Sequence, residues 1–242
     1  HKSGVMLFDV SVSDAVGLSS TAQVRVNVAP VNDRPVGTAA NLYHAATEDN
    51  TSAGQTVASL IAAHFSDADA GASVQGMVIQ WNQTTTAQGV WQYSTNAGSQ
   101  WQDLPANLAS NNLTAALYLR ATDLLRFVPA ANFNGDSLPI YYRAVDNSFP
   151  SQAGGSTVNL LNWNNSLDSD SPISAGGGAT VIRARVAAVN DAPTFSVSAL
   201  GGNFTEGADS AVGAPVYLFN APTSSTGPSD EPGQKITQLT FT

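Results

Sequence analysis

Trp91-Gln92-Tyr93-Ser94-Thr95-Asn96-Ala97-Gly98-Ser99-Gln100-Trp101-Gln102 reads as two short strands joined by a turn. Large aromatics alternate with polar residues, and the glycine supplies the positive φ that a tight hairpin connection needs. With regular pairing, Trp91, Tyr93 and Trp101 lie on one face at period two. Such a face packs into a core; the alternative is a platform on which a ligand stacks.

Outward from this hairpin the same signal repeats. Short runs rich in Val, Thr, Leu and aromatics alternate with Gly, Asn, Asp and Ser clusters, which predicts strands over 6–12, 22–29, 56–61, 74–81, 89–94, 100–104, 115–120, 124–128, 138–144, 156–161, 179–187, 214–218 and 235–242. Helical spacing appears at Val57, Leu60 and Ile61, with Phe65 eight residues after Val57, and offers a short helix over 57–65 in place of a strand. Many short strands with no long helix define an all-β fold of Greek-key β-sandwich, immunoglobulin-like units.

The units are tandem. Val31-Asn32-Asp33-Arg34 followed by Pro35 returns as Val189-Asn190-Asp191-Ala192 followed by Pro193, and Thr47-Glu48 returns as Thr205-Glu206; both 189 − 31 and 205 − 47 equal 158. Two landmarks with one spacing mark a repeat of domain length and an extended array. The preceding strands follow the same register: Phe8–Asp14 and Gln23–Val28 lead to the first Asn-Asp, Ile140–Asp146 and Thr180–Val186 to the second. Asp14 and Asp146 are only 132 apart, so the second copy carries about 26 extra residues, a loop insertion that sheets tolerate. The chain therefore divides into the end of one unit (1–34), a complete unit (35–190) with an inserted loop near 148–178, and the start of another (191–242).

Composition narrows the function. Charge is scarce at 11 %, the formal net charge is −9, and 15 of the 18 acidic residues are Asp. Nucleic acid and anionic membrane need clustered Lys and Arg, so this balance argues against both and favours divalent cations. No cysteine is present, which removes disulfides, thiolate metal sites and thiol nucleophiles. No run approaches the roughly 18 apolar residues of a membrane span. Catalytic signatures are lacking. His1, His44 and His64 form no metal-binding pair, Gly176-Gly177-Gly178 lacks the Lys of a phosphate loop, and Asp168 with Asp170 has no convergent partner chemistry.

The acidic residues at the unit boundaries form the candidate site. Thr-Glu starts 14 residues after each linker aspartate (47 − 33 and 205 − 191), giving Glu48 and Glu206. Asp67 and Asp69 follow in one copy, Asp230 and Glu231 in the other. Calcium takes about six to eight hard oxygens from flexible loops, and aspartates two apart in a turn can converge on one cation. The linker pairs Asn32-Asp33 and Asn190-Asp191 add carbonyl and carboxylate oxygens, and Asp14 and Asp146 complete the set. Glu48, Asp67 and Asp69 are expected to gather around Asp33.

At these residues the chain resembles the cadherin-like tandem repeats of giant bacterial surface adhesins, of the repeats-in-toxin type. Its linkers look like that family's Val-Asn-Asp-Ala-Pro junction. Trp91–Thr95, Trp101, Leu125–Pro129 and Asn132-Phe133-Asn134-Gly135-Asp136 look like a long variant of the repeat. The resemblance implies an extracellular, cell-surface protein of biofilm-forming or adhesive type, rigidified by interdomain calcium, whose partners are neighbouring repeats and other copies in a filament. Arg34 departs from the family's alanine, and Gly207 stands where the middle unit has Asp49. Two functions compete: a structural extender, or a module whose inserted loop, with Leu160, Leu161, Trp163 and Asp168, grips a glycan or peptide. Trp163 packed under its own loop favours the first, and an exposed Trp beside an acidic cluster the second.

Overall fold

A computed structural model describes residues 3–38, 40–163, 169–175, 180–192, 194–199 and 219–225. Strands β1 (Gly4–Ser13) and β2 (Ser19–Val28) form a hairpin paired in register from Gly4↔Val28 to Ser13↔Ser19. Most of its apolar residues, among them Val5, Leu7, Phe8, Val10 and Val12, are exposed. The middle of the chain continues through β3 (Val36–Gly37), β4 (Ala40–Thr47) and β5 (Gln55–Thr56). Helix α1 (Val57–Ile61) starts there because the Thr56 hydroxyl accepts the Ser59 amide at 3.2 Å, and Val57, Leu60 and Ile61 turn one buried face inward. The short helix, and not the alternative strand, occupies this stretch.

Next come β6 (Phe65–Ser66), β7 (Val74–Asn82), β8 (Gly89–Ser94), β9 (Gln102–Asp103), β10 (Ala116–Arg120) and β11 (Leu124–Pro129). The unit closes with β12 (Gly135–Asp136), β13 (Ile140–Asp146), β14 (Thr157–Val158) and β15 (Thr180–Ala187). A last pair, β16 (Thr194–Ala199) and β17 (Phe219–Ser225), forms its own two-stranded sheet. The windows 214–218 and 235–242 lie outside the described residues. The window 156–161 is a strand only at Thr157–Val158 before a 3-10 turn takes over at Leu160–Trp163.

The middle strands build an all-β sandwich. One sheet runs β12-β15-β13-β7-β10-β14, with β4 added beside β15; the facing sheet runs β5-β11-β8-β9. Between them lie Trp91, Phe127, Met77, Ile79, Leu117, Leu119 and Ile140, all buried. Trp91 keeps its indole N–H bonded to the Thr84 hydroxyl at 3.0 Å, which removes the cost of burying that donor. Tyr93 joins the same core, but Trp101 does not. It lies outside the paired strand, under the Arg126 guanidinium at 3.9 Å from the ring centre, which corrects the one-face expectation for the three hairpin aromatics.

A second apolar layer covers the outer face of the large sheet. Val78, Ala116, Tyr118 and Val145 point outward from their strands and meet Phe149, Val158, Leu160 and Ile173 of the inserted loop. Burial on both faces explains why Met77-Val78-Ile79 in β7 and Ala116–Leu119 in β10 are unbroken apolar runs instead of alternating ones.

The parallel pairing of β4 with β15, from Ala40↔Thr180 to Thr47↔Ala187, decides where the junctions fall. The chain enters the sandwich at the start of β4 and leaves it at the end of β15. Eight paired residues at about 3.3 Å each separate entry from exit by roughly 25 Å.

Candidate functional site

The entry end gathers four of the candidate carboxylates. The loop after β6 folds on itself: the Asp69 amide donates to Asp67 Oδ1 at 2.9 Å, and Gly71 takes the left-handed φ of +86° that closes the turn. This aims Asp69 at the linker, where the Asp33 amide donates to Asp69 Oδ2 at 2.6 Å. Asp33 itself is buried. Asp146 arrives from the end of β13, which runs antiparallel to β15 and so finishes at the same pole. Its Oδ1 accepts the amide and hydroxyl of Ser148 at 2.7 and 2.6 Å, and its Oδ2 faces Asn32 Nδ2 at 3.4 Å.

Asp146 is 1 % exposed, and burial pushes its carboxyl above the usual carboxylate range; the Ser148 and Asn32 hydrogen bonds oppose that rise, and the charge of Asp67 adds to it. Asp67 Oδ2 is shut off from solvent and accepts no hydrogen bond from the described residues. Buried carboxylate oxygens are ordinarily satisfied. A cleft of about 620 Å³ adjoins these groups, lined by Asp33, Arg34, Gly37, Asp67 and Ser169, and Asp69 also lines a second cleft with Met6, Val28 and Pro30 of the hairpin. The acidic loop thus faces both the linker and the segment before it.

Glu48 is not part of this set. It follows β4 at the exit end, where its Oε1 accepts the Val189 amide and its Oε2 lies 3.5 Å from Asn134 Nδ2. The expectation that Glu48 gathers with Asp67 and Asp69 around Asp33 is therefore corrected: the parallel β4–β15 pair carries Glu48 a strand length away, to the outgoing linker. There Asn190 Nδ2 donates to the Asp191 carbonyl at 3.3 Å, the same local bond that Asn32 Nδ2 makes to the Asp33 carbonyl at 3.1 Å. Asn134 was not among the sequence candidates, although it sits in the Asn132–Asp136 motif.

Asp14 stands apart from both ends. It tips the β1–β2 hairpin, where its Oδ1 accepts the amides of Val16 and Leu18, a full strand length from the linker. Its turn matches that of Asp146, whose Oδ1 takes the Ser148 amide two residues on. Glu206, Asp230, Glu231 and Asp168 lie outside the described residues.

The donor chemistry at both poles is oxygen only, which fits a hard divalent cation such as calcium. As placed, no group of three or more His, Cys, Asp or Glu side chains among the described residues is arranged to hold a metal ion. Among the same residues no helix is long and apolar enough to cross a membrane. No known protein family, no curated protein and no solved structure matches this chain.

Proposed function

We propose that this chain is an extender segment of a secreted bacterial adhesin or surface filament, a non-catalytic spacer whose junctions are stiffened by calcium. The observation that carries the reading is the parallel register of β4 and β15, which sends the chain in at one pole of the sandwich and out at the other. A domain strung in this way adds its whole length to an array. At the entry, Asn32, Asp33, Asp67, Asp69 and Asp146 would hold the cation; at the exit, Glu48, Asn190 and Asp191. Calcium there neutralises carboxylates that otherwise repel across the junction and ties linker to sandwich.

The rival reading, a glycan- or peptide-gripping loop, is less well supported. Trp163 is half-buried and packs on Phe149 with ring centres 5.5 Å apart, so it serves the second apolar layer. Thermal melts in calcium and in chelator test the proposal. A ligand that binds only the folded state stabilises it by about 2.7 kcal/mol at roughly one hundred times its dissociation constant. The melting temperature falls in chelator if calcium is the ligand; identical curves remove it.

A further inference from the structure

We infer that the loop inserted after β13 is a strap that locks the entry linker in place without any cation. Among the described residues, three hydrogen bonds join the two segments. The Arg34 amide donates to the Ser169 carbonyl at 2.6 Å, Asn32 Nδ2 to the Asp170 carbonyl at 3.1 Å, and Arg34 Nη2 to the Trp163 carbonyl at 3.3 Å. All three acceptors are backbone oxygens of the insert, so what matters is where the insert's backbone is held.

That backbone is held firmly. Leu160 and Ile173 are fully buried in the outer apolar layer. Residues 172–174 lie along β13: the Asp146 amide donates to the Pro172 carbonyl at 3.0 Å, the Ser174 amide to the Ala144 carbonyl at 2.9 Å, and Val145 bridges Ile173. Ser171, also buried, ties the Trp163 carbonyl to the Ile173 amide through its hydroxyl, at 3.3 and 3.2 Å. The carbonyls that grip the linker are therefore extensions of the sandwich itself.

Arg34 is the residue that makes the strap reach. Its counterpart in the next linker is Ala192, whose methyl group can donate to nothing. The insert and the arginine act as a matched pair, and the chain contains two kinds of junction: one strapped by hydrogen bonds at Arg34, one without that arginine at Ala192. In the absence of calcium the first keeps its linker fixed. The strap needs no metal, so it stands or fails separately from the calcium reading.

Amide hydrogen exchange on the full chain in chelator, resolved by NMR, tests the strap. An amide locked in a hydrogen bond of the folded state exchanges slowly, and we expect the Arg34 amide to exchange at least about tenfold more slowly than in an unstructured peptide. In Arg34→Ala the amide at position 34 should lose protection by about fivefold or more while that of Met77 in β7 is unchanged. Arg34→Lys, which keeps a donor, should retain part of it. Exchange of the wild-type Arg34 amide at the unstructured rate in chelator, with protection appearing only in calcium, overturns the strap. Unchanged protection in Arg34→Ala overturns it equally. Should that variant not fold, the wild-type comparison alone decides.

Discussion

Glu48 and Val189, 141 residues apart in sequence, meet at the exit pole, where the Val189 amide donates to the Glu48 carboxylate. The contact exists because Thr47 pairs with Ala187, which leaves the next residue of one strand beside the outgoing linker of the other. Glu48 is almost wholly buried, so it holds the linker and does not simply sit in solvent.

Removing that acceptor breaks a hydrogen bond to a buried, charged carboxylate. Glu48→Ala should cost about 1–3 kcal/mol in chelator, and Glu48→Gln, which keeps an oxygen, less. Denaturant midpoints at unchanged m report the difference. Equal midpoints for wild type and Glu48→Ala would show that the contact does not hold the linker.

Asp146 should behave in the opposite way to a typical paired carboxylate. Burial raises its folded pKa, so its contribution to stability is fully present below the ordinary aspartate value of about 3.9 and is lost as pH rises through the raised folded value. At neutral pH without calcium the charged group is a cost. Asp146→Asn should therefore be as stable as wild type or more so in chelator at pH 7, yet gain less from added calcium. A variant that is less stable in chelator but gains the full calcium increment would contradict this assignment.

His44 sets a second pH dependence. It is buried between Gln55 and Ser52, with ring nitrogens 3.2 and 3.3 Å from their side-chain oxygens, and burial lowers its pKa below the ordinary 6.5. The folded state keeps it neutral while the unfolded chain takes up a proton. Its contribution is present above pH 6.5 and declines as pH falls from there through the lowered folded value. His44→Gln should flatten the stability profile in that window; an unchanged slope would place the titrating group elsewhere.

The outer apolar layer is predicted to be structural. Leu160 is fully buried against it, and Leu160→Ala should cost about 2–5 kcal/mol, the range for a buried Leu whose cavity cannot fully collapse. A cost near zero would mean that the insert lies on the sheet without stabilising it.

Much of the sandwich is legible in the sequence. β8 falls where alternation places it, β7 and β10 announce themselves by apolar runs, and α1 by the spacing of Val57, Leu60 and Ile61. The misses have physical causes. β4 is hard to read because its inward residues Leu42, His44 and Ala46 include an imidazole and a methyl, too weak a stripe to stand out. β17 carries Pro222, which ordinarily argues against a strand. Missing β4 had the larger consequence, since without it nothing separates Glu48 from Asp33. The acidic set was legible as a composition and a spacing; its division between two poles follows from strand direction, which local sequence does not encode.

Small-angle scattering of an array of at least three complete units tests the extender proposal most directly. Short Pro-containing linkers leave little free chain, and cations at each pole remove most of the rest. The account predicts a larger maximum dimension in calcium than in chelator, with the profile of a stiff rod in the first case and a bent chain in the second. The same maximum dimension in both conditions would contradict it.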